Sequence, residues 1–378
     1  TPCGTLFPYT TLFRSGVSFT DPRDLHNGTL RDLLATTLEN HPWDGKFQTL
    51  QQYHDYPVCN TWFREDRVVF DGGTSIVRNV QLGENGSAKF TRPYEPASPA
   101  VADVQGRLRA EWVQATADYS ISRQELLRNR STSRLIDLLA SRRTAALADL
   151  ANLLEDYAWQ APASGGDDLH PMGIPYWLVP ITSDQQTAGT HGHQGGNPTG
   201  FSDCGGIDAS AAANSRWRSY NDCWSDDTGT ITDDDVIKIT RMLRRLHFRS
   251  PVFVNQAEEE GFRNVRLYAN ETTLEALEDR AREGNDQLGS DVGRYAGATV
   301  VKNIPVVWVE QLDADTTNPL YAVNHAYFHP FVMEGDFFRE TGPMNSRQQH
   351  DVFTTFVDLQ FNFVCLNRQR AGGVISRV

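Results

Sequence analysis

Lysine is nearly missing from this 378-residue chain: only Lys46, Lys89, Lys238 and Lys302 occur, and arginine supplies the rest of the basic charge. The formal net charge is −13. A chain this acidic is a poor candidate for a dedicated nucleic-acid-binding module, whose phosphate contacts need a basic patch. Long apolar runs are missing too. No stretch approaches the ~18 apolar residues that span a bilayer, so no membrane helix is expected. Cysteine is sparse: Cys3, Cys59, Cys204, Cys223 and Cys365 include no CxxC pair, which fits reduced thiols and excludes a disulfide framework. No GxSxG elbow, HExxH pair or GxxxxGK[ST] loop occurs. The doublets Gly72-Gly73, Gly195-Gly196 and Gly205-Gly206 lack the strand–glycine–helix order of a phosphate cradle. No catalytic residue and no cofactor is therefore expected, and no internal repeat is found.

What is present describes a folded chain. Hydrophobic residues make up 39% and charged residues 22%, outside the range of disordered chains, and the length suffices for more than one domain. The first fifteen residues stand apart. Phe7-Pro8-Tyr9-Thr10-Thr11-Leu12-Phe13-Arg14-Ser15 resembles a translated sequencing adapter, and Thr1 to Ser15 lacks the parts of a signal peptide, so this segment is expected to be foreign. Residues 16–50 read as a loose arm with one short amphipathic helix, where Leu30, Leu33, Leu34 and Leu38 recur before His41-Pro42.

From Arg64 to Arg92 the pattern is that of a strand pair. Ile76, Val80 and Leu82 share a face, and the Asn-Gly in Gly83-Glu84-Asn85-Gly86-Ser87 marks a hairpin tip, with Lys89, Phe90 and Arg92 running back. So few apolar residues on so long a hairpin call for a partner surface. Residues 112–122 alternate as a half-buried strand, with Val113, Ala115, Ala117, Tyr119 and Ile121 inward. Ser122-Arg123-Gln124-Glu125 then forms a capping box, opening a helical pattern that runs to about Trp159, with Ser131-Thr132-Ser133 a place to bend. Gly173 to Ile181 reads as a strand, and Thr182 to Gly229 as a long aperiodic loop. Helices are expected after Thr232, where Asp233, Asp234 and Asp235 fill the first turn, and from Glu271 to Glu283. Strands follow at 299–301, 306–309, 320–324 and 328–333. The longest alternation, Phe353 to Cys365, predicts an unusually long closing strand.

One constellation carries metal chemistry. His191 and His193, with Cys204 and Cys223 downstream, are zinc-type ligands, although the cysteines stand alone where structural sites pair them closely. A metal-dependent enzyme using that loop is one alternative reading. No metal site is assigned.

Val265-Arg266-Leu267-Tyr268-Ala269-Asn270, then Lys302-Asn303-Ile304-Pro305-Val306-Val307, Asn318-Pro319-Leu320-Tyr321-Ala322-Val323-Asn324 and Gly335-Asp336-Phe337-Phe338-Arg339-Glu340, followed by the closing strand of His350 to Arg370 with Gly372 and Gly373, resemble the major capsid proteins of tailed bacteriophages. Gly195-Gly196-Asn197-Pro198-Thr199-Gly200-Phe201 and Arg216-Trp217 resemble a subgroup of them. The resemblance covers most of residues 50–378 and rests on the order of elements more than on any one motif. It implies an α+β chain with the Hong Kong 97-type fold: an N-terminal arm (16–50), an E-loop hairpin region (51–98), a peripheral domain with a spine helix at about 123–159 (99–180), an axial domain of mixed α/β (181–340) and a returning long strand of the peripheral domain (341–378). It implies a non-enzymatic shell subunit that assembles with itself as pentamers and hexamers into the icosahedral head, through a procapsid. A scaffolding protein, a portal and a maturation protease are further implied partners. Packaged double-stranded DNA would be touched non-specifically and no membrane is involved. The implied location is the virion, after assembly in the bacterial host cytoplasm. Gly83, Glu84, Asn85, Gly86, Lys89 and Arg92 are the implied inter-subunit contacts. Some members cross-link a hairpin lysine to a neighbour's asparagine; Lys89 is placed for this, but no asparagine is singled out, so no cross-link is expected. An encapsulin-like nanocompartment shell shares the fold and is the closer alternative.

Overall fold

The computed structural model describes residues 53, 55–64, 67–84, 86, 88, 90–92, 105–128, 132–182, 191–225, 230–247, 264–283, 299–345 and 350–378. The adapter-like segment, the arm with its Leu30–Leu38 helix, and Asn85, Ser87 and Lys89 lie outside them.

In chain order the elements are α1 (Pro57–Thr61), β1 (Val69–Asp71), β2 (Ile76–Gln81), β3 (Gln105–Ala110), β4 (Val113–Ser122), α2 (Arg123–Arg128), α3 (Thr132–Ala158), α4 (Ile174–Trp177), β5 (Gly192–Gly195) and β6 (Ser219–Cys223). They continue with α5 (Asp233–Leu246), β7 (Val265–Ala269), α6 (Glu271–Glu283), β8 (Val300–Val301), β9 (Ile304–Trp308), β10 (Leu320–Asn324), β11 (Phe328–Met333), β12 (Arg339–Asn345), β13 (Val352–Cys365), α7 (Arg368–Ala371) and β14 (Gly372–Ser376).

Two sheets organise the chain. The first is built on β13, which is long enough to pair with β4 along one edge and with β12 and then β11 along the other; β1 extends it beside β11. Alternation selects its buried face: Val357, Leu359 and Phe361 lie opposite Ala117, Ala115 and Val113. Val357, Leu359 and Ala115 join Leu150, Leu154 and Ala158 of α3 in one core. The second sheet has the order β5-β6-β14-β10-β7-β9-β8. Along β10, Tyr321 and Val323 enter that same core, whereas Leu320 and Ala322 enter a second one. The second core holds Ile239, Met242, Leu243 and Leu246 of α5 and Leu277 of α6. Period-two side chains thus give this sheet two buried faces, one against each core. Trp62, just after α1, ties the parts together: its ring lies within 6.3 Å of those of Trp159, Tyr268, His325, Phe328 and Phe363.

The helix starts follow their caps. Ser122 Oγ accepts from the Gln124 N–H and Glu125 reaches back to the Ser122 N–H at 3.3 Å. At α5 the same box is made by Thr232 and Asp235. The α6, β10 and β11 boundaries are those the sequence predicts, and β4 and β13 agree to within one residue.

Of the helical pattern over 123–159, α2 and α3 are described; residues 129–131, where the bend expected at Ser131-Thr132-Ser133 begins, lie outside the described residues. Three expectations are corrected. Residues 173–181 hold the short helix α4 instead of a strand, because Pro175 falls in its first turn, where a missing N–H costs nothing. The 182–229 stretch contains β5 and β6; β6 buries Ser219, Tyr220, Asn221 and Asp222 alike, so no periodicity betrays it. Finally, the chain does not end on the long strand: Gly372–Ser376 turns into the middle of the second sheet, antiparallel to β10 and parallel to β6. A Cβ on Gly372 would stand 2.2 Å from the Ala322 carbonyl oxygen, so glycine is needed for that approach.

Candidate assembly interface

The hairpin is built differently from its sequence signature. β2 pairs with β3, from Ile76 opposite Ala110 to Gln81 opposite Gln105, so the strand that closes it lies beyond the expected boundary at residue 98. Gly86 sits at φ 63°, in the left-handed region glycine favours, while Asn85 lies outside the described residues. No residue between Leu82 and Arg92 is a ladder partner of β2.

The base of the hairpin is fastened to its own subunit. Ile76, Leu108 and Ala110 are buried, and Val80 and Leu82 pack against the core. The Arg109 N–H donates to Gly205 O at 2.9 Å. Gly205 and Gly206, at φ 64° and 78°, form the turn on which the hairpin rests; a Cβ on Gly205 would meet Leu108 at 2.5 Å and Trp177 at 2.9 Å. Arg78 bridges the base to the first sheet, with its guanidinium 5.1 Å above the Phe331 ring and 2.6 Å from Asp71. The glycine doublet was visible in the sequence, but its role as a seat was not.

Beyond the base the chain is open to solvent. Gly83 is half-buried, while Glu84, Gly86, Ala88, Phe90, Thr91 and Arg92 are exposed. Glu84 pairs with Arg216, with both side chains largely in water. Of the six residues expected at this contact, Gly83, Glu84, Gly86 and Arg92 are placed along one exposed excursion, and Asn85 and Lys89 lie outside the described residues. Phe90, on the same arm but not among the six expected contacts, is fully exposed.

The metal candidates are not brought together. His193 packs edge-on against Tyr220, 5.8 Å between ring centres, and burial with Arg245 nearby pushes it down to about 4. The Cys204 thiol donates to Tyr176 O at 3.5 Å, and burial pushes it up to about 11, which disfavours the thiolate a metal needs. Cys223 is likewise raised by burial. Among the described residues no group of three or more His, Cys, Asp or Glu side chains is placed to hold a metal ion. Nor, among them, is any helix long and apolar enough to cross a membrane.

No protein-family model matches the sequence. No curated protein matches it either. Solved structures do. A chain of the cyanophage A-1(L) capsid asymmetric unit superimposes with a TM-score of 0.61 at 12% identity, over 91% of this chain and 99% of that one. The capsid of a native GTA particle gives 0.54 at 12% identity, covering 88% and 95%. The capsid of Myoviridae phage XM1 gives 0.50 at 10% identity, covering 90% and 98%. The likeness runs over most of the length of both chains, and this chain has the Hong Kong 97-type fold of tailed-phage major capsid proteins.

Proposed function

We propose that this chain is a major capsid protein, a structural subunit and not an enzyme, which assembles with itself into the icosahedral head of a tailed phage. The observation that carries this reading is end-to-end agreement with a phage capsid chain, 99% of which is covered at a TM-score of 0.61. The hairpin supports it: its base is fixed to its own subunit, and the excursion beyond carries Phe90 into solvent. In this reading α2, α3 and the first sheet form the peripheral domain, and the second sheet with α5 and α6 the axial one. The excursion through Gly83, Glu84, Asn85, Gly86, Lys89 and Arg92 lies against a neighbouring subunit in pentamers and hexamers. The acidic balance of −13 suits a wall that holds double-stranded DNA without adhering to it. Scaffolding protein, portal and maturation protease are the expected partners, the bacterial cytoplasm the place of assembly, and the virion the destination.

Size-exclusion chromatography followed by electron microscopy of the expressed chain tests this. Closed shells, or rings of five and six subunits, are the expected result. A folded monomer or dimer at every salt and protein concentration, with and without a co-expressed scaffold, would overturn it. Shells that take up a protein cargo and no DNA would move the reading to a nanocompartment.

A further inference from the structure

The two helices packed on the second sheet carry opposite charge towards its opposite edges. That sheet runs from edge strand β5 to edge strand β8. α5 buries Ile239, Met242, Leu243 and Leu246, which leaves Ile237, Arg241 and Arg244 at i, i+4 and i+7 on the side turned away from the core. Its cations gather towards the β5 edge. Arg245 lies 5.8 Å above the Tyr220 ring of β6, and a Cβ on Gly192 of β5 would meet its Nη1 at 2.5 Å. Arg241 stands 4.0 Å from Asp222 of β6, and Lys238 donates to Cys223 O of the same strand at 2.9 Å. α6 lies towards the other edge, where Glu278 accepts from Thr299 Oγ1, next to β8, at 2.8 Å. It buries Thr273 and Leu277 and exposes Glu271, Glu275 and Asp279 at i, i+4 and i+8. Glu275 and Asp279 thereby repel each other along the helix. Between residues 299 and 313, Lys302 is the single lysine or arginine, alongside Glu310 and Asp313. Each side also exposes an aliphatic residue: Ile237 is 54% exposed on α5 and Val300 57% on β8.

We propose that these two sides are the halves of one contact between copies of this chain, in which Arg241, Arg244 and Arg245 of one copy meet Glu271, Glu275 and Asp279 of the next. The inference rests on the reading of the chain as a self-assembling subunit and adds a surface through which neighbours join. The basic half lies towards β5 and the acidic half towards β8, so the contact is head-to-tail. Each copy offers one half to one neighbour and the other half to a second, an arrangement that closes into rings. Complementary charge selects the partner and fixes its orientation, and Ile237 and Val300 bring apolar area to the two sides. Arg244, Glu275 and Asp279 are exposed in the subunit itself, where such charges contribute little to folding.

Charge reversal in the full-length chain, read by size-exclusion chromatography and electron microscopy, tests the contact. Arg244→Glu with Arg245→Glu, and separately Glu275→Lys with Asp279→Lys, should each leave the unfolding midpoint close to wild type. Each should lower the fraction of chain in rings and shells by roughly tenfold or more, because like charges then face each other across the contact. The chain carrying all four substitutions has opposite charges again and should recover assembly. Arg244→Glu alone leaves Arg245 in place over Tyr220 and should weaken assembly even if the double variant does not fold. Shells that form as in wild type from Arg244→Glu and from the folded double variants overturn the proposal. So does a folded four-substitution chain no better at assembling than either double variant. A wild-type chain that stays monomeric refutes self-assembly and the contact with it, whereas wild-type shells with indifferent variants refute the contact alone.

Discussion

Arg368 Nη1 donates to the carbonyl oxygen of Trp217 at 2.9 Å inside the molecule, with no part of the arginine exposed. Its Nε reaches Trp177 O at 2.8 Å and its Nη2 reaches Gly196 O at 2.9 Å. One planar guanidinium thus gathers carbonyls 151, 191 and 172 residues away in sequence, at the point where β13 gives way to β14. Arg368→Met fills similar volume but leaves those carbonyls unsatisfied in the interior. A loss of about 3 kcal/mol or more is expected in urea unfolding. A loss under ~1 kcal/mol would mean that water replaces the guanidinium.

Trp62 sits where both sheets and α3 meet, and it is 1% exposed. Trp62→Ala opens a cavity among Trp159, Tyr268, Phe328 and Phe363 and should cost about 3–5 kcal/mol in the same assay. A substitution at exposed Leu169 should change stability by no more than about 0.5 kcal/mol.

His325 is buried beside Arg67, Arg266 and His329. Burial first, and those positive neighbours next, hold it well below the usual histidine range. It stays neutral in the fold, accepting from or donating to Tyr268 Oη at 2.8 Å, while the unfolded chain takes up a proton below about pH 6.5. The unfolded state then binds more protons, so stability falls as pH drops through that range, by up to about 1.4 kcal/mol per pH unit. His325→Gln keeps a polar group for Tyr268 and removes the titration. The stability gap between wild type and variant should shift towards the variant from pH 7 to pH 5. A gap that is the same at both pH values would count against this account.

The hairpin separates folding from assembly. Deleting Gly83 to Ser87, or replacing Phe90 with Asp, should leave the circular dichroism spectrum and unfolding midpoint close to wild type and impair shell formation. Charge reversal at Lys89 and Arg92 should act in the same direction. Breaking the exposed Glu84–Arg216 pair should cost the isolated subunit no more than ~1 kcal/mol. Normal shells from the deletion would remove the bridging role.

Much of the architecture was legible because it is local. The period-two run from Phe353 to Cys365, the capping residues before α2 and α5, and the apolar spacing of α3 each state their element within a dozen residues or so. Elements whose character comes from distant neighbours were not legible. β6, with Ser219, Asn221 and Asp222 buried, reads as loop until β14 and β5 supply its ladder. β14 begins with a glycine pair that reads as a turn until the Ala322 carbonyl makes it a close contact. A hairpin was expected from Asn-Gly, but the strand that pairs with β2 lies past Pro93, Pro96 and Pro99, where no short-range rule could pair it.

By itself, then, the sequence determined the elements whose alternation, caps and breakers act over a few residues, and with them the order that places this chain beside phage capsid proteins. Tertiary structure alone decided which strands are neighbours, where Arg368 finds its carbonyls, why His325 is held neutral and which part of the hairpin is left in water. Those outcomes depend on desolvation and on contacts between residues far apart in the chain, and neither is written in any single window of sequence.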